Sequence, residues 1–235
     1  MARKRWKKKK HRVVEKKIEK PEHSNNKLIL ASIVILLVIV IGYSYLGSRA
    51  KTPPADAEKI QGEFVLVENK ANTHEAGKVK MLEFFDFYCS HCYLLHKAMP
   101  PLKNKYGEKL EITPVGFPLR PRSFLPLEAY ELALDQGKGE EMMDAIFAAI
   151  HEDKRDVSDV ETLKGIAEGI GLNGQEFEEG LESGTKRSKI NSNLALGNSY
   201  GLKGTPTLIL DGQIKATNNS PENIDTIIKS LLEEE

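Results

Sequence analysis

The run Lys78–Met99, KVKMLEFFDFYCSHCYLLHKAM, decides the fold. Its first ten residues, Lys78–Phe87, are dense in apolar and β-favouring side chains and read as a largely buried strand. From Ser90 the period changes: Leu94, Leu95, Ala98 and Met99 fall at helical spacing until Pro100 and Pro101, which end or kink the helix. Both cysteines of the chain, Cys89 and Cys92, stand where one period gives way to the other.

Working outward, Glu63–Glu68 alternates as a short strand, and Leu110–Phe117 (LEITPVGF) is a third, interrupted by Pro114 and therefore bulged or at an edge. Leu127–Tyr200 has helical periods and no convincing strand. Within it Leu127, Tyr130 and Leu134 share a face, as do Met142, Met143, Ile146, Phe147 and Ile150, and both stripes read as core. A Ser158-x-x-Glu161 capping box opens a helix carrying Val160, Leu163, Ile166, Ala167 and Ile170. Strand signals return at Thr207–Leu210 and Gln213–Ala216 around an Asp211-Gly212 hairpin turn. Ser220-Pro221 then opens a last amphipathic helix with Ile224, Ile227, Ile228, Leu231 and Leu232. This order predicts an α/β sandwich split by an inserted helical subdomain.

The 235 residues balance 34 Lys+Arg against 34 Asp+Glu, but the charge is segregated. Residues 1–27 hold twelve Lys/Arg and three Asp/Glu, and an uncharged run of 21 residues follows, Leu28–Ser48. At about 1.5 Å per residue that run is long enough to cross a bilayer as a helix, and longer than the h-region of a cleaved secretory signal, its main competitor. The basic flank keeps residues 1–27 in the cytoplasm, and the remainder lies outside it, where disulfides persist. The basic arm is read as topogenic, with no nucleic-acid partner expected. Residues 49–61, with Pro53 and Pro54, read as a linker, and the domain is expected to start at Gly62.

At a helix N-terminus, unsatisfied N–H groups and the dipole favour a thiolate, so Cys89 is expected to ionise below the free-thiol value of about 8.5. His91 can add a donor or a positive charge. Cys92, one turn on, is placed to resolve a mixed disulfide. Against this stand a structural disulfide, whose loop is too short to stabilise much, and inert buried thiols. A metal site of Cys89, Cys92 and His96 with His91 or His74 is the remaining alternative, and a noncatalytic tethered binding domain would not need the thiols at all. The two cysteines exclude a disulfide-dense scaffold and a four-thiolate zinc site. Glu83, inside the apolar strand, should have a raised pKa if buried and would then exchange a proton with Cys92; an ion-paired or solvated strand carboxylate is its plainer reading.

Glu83–Tyr93 (EFFDFYCSHCY), the later helical block, and Gly204-Thr205-Pro206 before a strand together resemble the DsbA-type thiol:disulfide oxidoreductases of the thioredoxin fold, over residues 62–235. The fold class implied is α/β, a thioredoxin fold with a helical insertion at about 125–200, which the transmembrane helix expected from the apolar run at 28–48 precedes. The resemblance implies that Cys89 is the exposed nucleophile, Cys92 the resolving thiol, and Pro206 a cis-proline facing them. It also matches Glu83 to the family's buried strand carboxylate. Ser90 stands where strongly oxidising members usually carry proline, while His91 is retained. Thr205 is also compatible with reshuffling of wrong disulfides.

The expected activity is donation of the Cys89–Cys92 disulfide to reduced proteins outside the cytoplasm, with isomerase or reductase action and metal delivery as alternatives. Clients are expected to dock around Tyr93, Leu94 and the Thr205-Pro206 loop. No cofactor is expected beyond the redox disulfide, and no bound metal. By resemblance a quinone-linked membrane partner restores the disulfide of a monomeric, single-pass enzyme whose catalytic domain is periplasmic or otherwise extracytoplasmic.

Overall fold

The apolar run after Gly77 becomes the central strand of the sheet. In the computed structural model, which describes residues 59–233, β1 is Phe64–Leu66 and β2 is Val79–Phe85. Helices α1 (Ser90–Ala98) and α2 (Pro100–Tyr106) follow, then β3 (Leu110–Gly116). Five helices come next: α3 (Phe124–Asp135), α4 (Gly139–His151), α5 (Val160–Gly169), α6 (Gly174–Glu182) and α7 (Arg187–Ser199). The chain closes with β4 (Thr207–Leu210), β5 (Ile214–Ala216) and α8 (Pro221–Glu233). The expectations for 1–27, 28–48 and 49–58 lie outside the described residues; among the described residues no helix is long and apolar enough to cross a membrane.

The five strands run in the order β1-β5-β4-β2-β3, with β2 parallel to β3 and antiparallel to β4. Pro114 sits on the edge strand, where its missing N–H leaves no ladder bond unmade, and β3 stays in unbroken register with β2 from Val79↔Leu110 to Phe85↔Gly116. Edge placement alone therefore accommodates the proline, without a bulge. The strand side chains divide by alternation. Val79 and Met81 join Leu95 and Met99 of α1 and Ile224, Ile227, Ile228 and Leu231 of α8, whereas Phe84 turns to the opposite cluster with Val115, Phe117, Leu202 and Ile209.

The insertion, Phe124–Ser199, has its own core, into which Phe85, Phe87 and Cys92 project from the sheet side. Its first helix is buried nearly all round, so two carboxylates of α3 lie inside: Glu128 pairs with Arg187 at 2.5 Å and Glu131 accepts from Asn193 at 3.2 Å, both partners on α7. Leu134, expected in the core, is 46% exposed. It lies in the last turn of α3, where it leans on Gly139 instead.

Three boundaries differ from the sequence reading. Pro100 and Pro101 break the helix only briefly, because they occupy the first turn of α2, where their missing N–H groups cost nothing. The cap of α5 is Asp159 rather than Ser158: the Asp159 carboxylate accepts from Thr162 N–H at 2.8 Å, while Ser158 N–H donates to Asp156. A carboxylate facing the positive helix end outcompetes the hydroxyl one residue earlier. Residues before Gly62 also pack: Ile60 joins the core under α8, and Gln61 N–H donates to Ser230 Oγ at 2.9 Å. The hairpin turn matches its sequence, with positive φ at both Asp211 (44°) and Gly212 (79°).

Candidate active site

Cys89 caps α1 in an extended conformation and offers no side-chain cap, so the free N–H groups of the first turn are left to its sulfur. Its own N–H donates to Asp86 O at 3.0 Å, and its thiol donates to Thr205 O at 3.2 Å. Both cysteines are free thiols, Cys89 partly exposed and Cys92 buried. The Cys89 pKa is lowered to about 5, first by a hydrogen bond from the Cys92 thiol, then by Thr205 and by the backbone N–H groups of Cys92 and His91, against an opposing push from burial. Burial drives Cys92 strongly upward, reinforced by the negative neighbour it hydrogen-bonds. One sulfur is a nucleophile and good leaving group, and the other holds its proton.

Pro206 follows Thr205 through a cis peptide bond, and Thr205 Oγ1 is buried with no hydrogen-bond partner. His91 is exposed and lines a groove of about 530 Å³ with Leu94, Leu95, Ala98, Pro206, Asn219 and Pro221. The backbone N–H of His91 is among the groups that lower the Cys89 pKa. Glu83 is 7% exposed and its pKa is raised to about 7 by burial, with Lys103 opposing. It lies on the β2 face that α1 covers, between Met81, which packs with Leu95 and Met99, and Phe85, which packs with Cys92.

Tyr93 is the residue the geometry moves. It turns to the other flank of α1, stacks on His151 with ring centroids 4.8 Å apart, and hydrogen-bonds Glu152 of the α4 C-cap. Neighbouring helix residues point about 100° apart, which sends Leu94 into the groove, 60% exposed, and Tyr93 away from it. The candidate metal ligands are also separated. His96 is held by Asp144 at 2.6 Å, and His74 by Asp211 at 2.8 Å beside the start of β2, at the far end of the strand from the cysteines. Among the described residues no three His, Cys, Asp or Glu side chains cluster to hold a metal.

Three residues of the site were not singled out from sequence. Asp86 is 1% exposed, and its two oxygens accept from Tyr88 N–H and Leu119 N–H, each at 2.8 Å, tying the cysteine loop to the loop after β3. His151 Nε2 donates to Phe87 O at 2.7 Å, holding the end of that same loop from α4. Asn219 donates to Pro206 O at 3.0 Å and braces the cis-proline loop. An Asp between apolar residues was the one signal available for Asp86; the others depend on neighbours 64 and 13 residues away in the chain.

A family model described as thioredoxin matches residues 72–230. Among curated relatives, the thiol:disulfide interchange protein DsbA of Azotobacter vinelandii is 26% identical over 200 residues, covering 81% of this chain and 90% of the relative. That of Burkholderia cepacia is 27% identical over 164 residues, 66% of this chain and 77% of the relative. Among solved structures, DsbA of Pseudomonas aeruginosa superposes with a TM-score of 0.64 at 19% identity, covering 77% of this chain and 95% of that one. Oxidised BdbD of Bacillus subtilis gives 0.58 at 16% identity, covering 74% and 98%.

Proposed function

The chain belongs to the thioredoxin family, and from that premise we propose that it is a DsbA-type oxidoreductase that introduces disulfides into proteins outside the cytoplasm through Cys89 and Cys92. The observation that carries this reading is the asymmetry of the two thiols: Cys89 is lowered to about 5 while burial raises Cys92. In the oxidised enzyme a client thiolate attacks Cys89 Sγ, the Cys89–Cys92 bond breaks, and the electron pair leaves on Cys92. Glu83, neutral at the start, supplies the proton that Cys92 takes up. The second client thiolate then attacks the client sulfur of the mixed disulfide and expels Cys89 as a stabilised thiolate, so two electrons pass to the enzyme and the client keeps the disulfide.

Clients lie along the groove of His91, Leu94, Pro206 and Asn219, with Thr205 beside the reacting sulfurs. The sequence supports the remaining arrangement: a cytoplasmic tail at 1–27, a signal anchor at 28–48, a linker from 49, and a monomeric domain held at the outer face of the bacterial cytoplasmic membrane. There a quinone-linked membrane partner accepts the two electrons and restores the disulfide.

The test is the redox equilibrium of the full-length protein against glutathione, with Cys89→Ser as control. Thioredoxin, with a cysteine pKa of about 7, stands at about −270 mV, and DsbA, at about 3.5, stands at about −120 mV. A Cys89 pKa lowered from 9.0 toward the DsbA side of this pair predicts a potential well above that of thioredoxin. Such a potential with rapid oxidation of a reduced unfolded protein supports the reading. A potential below about −250 mV with slow exchange overturns it in favour of a reductase.

A further inference from the structure

A smaller pocket of about 190 Å³ borders Cys89 and shares no residue with the Pro206 groove. It is lined by Asp86, Tyr88, Cys89, Ser90, Leu119, Arg120 and Ser123. It lies where the chain leaves β3 and enters the helical insertion, and the mechanism above does not use it.

Two of its hydroxyls have nothing to bond. Ser123 is 1% exposed with Oγ buried and unpartnered, and Tyr88 Oη is likewise buried without a partner. An unmade hydrogen bond of this kind is costly, and a ligand group that reaches the hydroxyl removes the cost. Its charge is set by few groups. Asp86 has one backbone N–H on each of its oxygens, so its charge is partly compensated by two donors of the chain itself. Asp156 and Asp159, whose charge reaches Tyr88, are engaged by the Ser158 and Thr162 N–H groups. Arg122 lies over the Tyr88 ring at 4.2 Å. Arg120 is exposed at the mouth and has no carboxylate partner among the described residues. Leu119, 44% exposed beside it, adds an apolar rim.

We propose that this pocket is a specificity subsite that takes a carboxylate side chain of the client adjacent to its reacting cysteine, with Arg120 as the charge partner and Ser123 and Tyr88 as hydrogen-bonding groups. The client then straddles Cys89, its apolar part in the groove of Leu94 and its acidic part in the pocket of Arg120. This rests on the oxidoreductase reading above and adds to it a substrate class. It also couples affinity to turnover: Cys89 is neutral in the disulfide and negative as a thiolate, so the pocket holds an acidic client less well after the electrons have passed.

The experiment uses the full-length protein in detergent and short fluorogenic dithiol peptides identical except for Glu, Gln or Lys at either flank of the reacting cysteine. At low ionic strength the Glu peptide is oxidised with a kcat/KM about two- to fivefold above the Lys peptide at one flank, the range of a partly exposed ion pair. The ratio shrinks in high salt, falls toward one in Arg120→Gln, and inverts in Arg120→Glu. Each ratio is internal to one enzyme, so a general loss of activity in a variant does not imitate it. An unchanged Glu/Lys ratio across wild type, Arg120→Gln and Arg120→Glu overturns the subsite and leaves the oxidoreductase reading standing. Failure to oxidise any of the peptides overturns that reading, and the subsite with it.

Discussion

Glu83 is a carboxyl placed where water does not reach, and its titration has a sign that can be tested. The folded-state pKa of about 7 lies above the ordinary 4.5, so between those values the folded chain holds a proton that the unfolded chain has released. Stability therefore falls as pH rises through this window, by roughly 3 kcal/mol once the buried carboxyl is fully ionised. Glu83→Gln removes that fall. Urea denaturation should show the variant stabilised by about 3 kcal/mol at pH 8 and nearly unchanged at pH 4; an equal effect at both pH values would mean that the carboxyl does not titrate as its burial implies. Glu83 was legible because a carboxyl inside an apolar strand is conspicuous. Tyr93 was not, because the sequence places it beside Leu94 while the helix turns the two apart. The thiolate's support was legible as a helix N-terminus, whose N–H groups at His91 and Cys92 both lower the Cys89 pKa.

At the scale of elements, the site is a meeting of loops, and Asp86 is the fastener. It joins the turn from β2 into α1 to the turn from β3 into the insertion by accepting Tyr88 N–H and Leu119 N–H. Asp86→Ala leaves both donors without that acceptor at a position 1% exposed, and hydrogen bonds to a charged group are each worth about 1.5–3 kcal/mol. The expected loss is about 3 kcal/mol in thermal or urea unfolding, with Asp86→Asn, which keeps one carbonyl oxygen, losing about half as much. A loss under 1 kcal/mol in Asp86→Ala would show that water replaces the carboxylate and that the two loops are not fastened there. The elements themselves were largely legible. Their periods and turn residues are local, as in β2, the Asp211-Gly212 hairpin and the amphipathic α8. Asp86, Asn219 and the Glu128–Arg187 pair were not, because each acquires its role from a segment brought alongside only when the insertion and sheet have folded.

For the whole molecule, redox state and folding stability are linked through one sulfur. In the reduced chain the Cys89 pKa falls from 9.0 to about 5 on folding, so the folded state releases a proton that the unfolded state keeps between those values. The stabilisation is fully present above about pH 9, diminishes as pH falls, and is gone below about pH 5. The oxidised chain has no such titration. It has instead the constraint of a four-residue loop, about 2 kcal/mol in the chain-entropy account, which does not vary with pH. The other buried groups, Glu83 among them, act in both forms and cancel to the extent that the disulfide leaves them undisturbed. The difference in melting temperature, reduced minus oxidised, should therefore rise steadily from pH 5 to pH 8.5 and lie flat below pH 5. In Cys89→Ser, compared with the wild-type reduced form, that rise should be absent, since no thiolate forms at the helix N-terminus. A difference that stays constant across this range would place the thiolate's stabilisation in the unfolded chain as well, and would remove the thermodynamic reason for the folded enzyme to give its disulfide away.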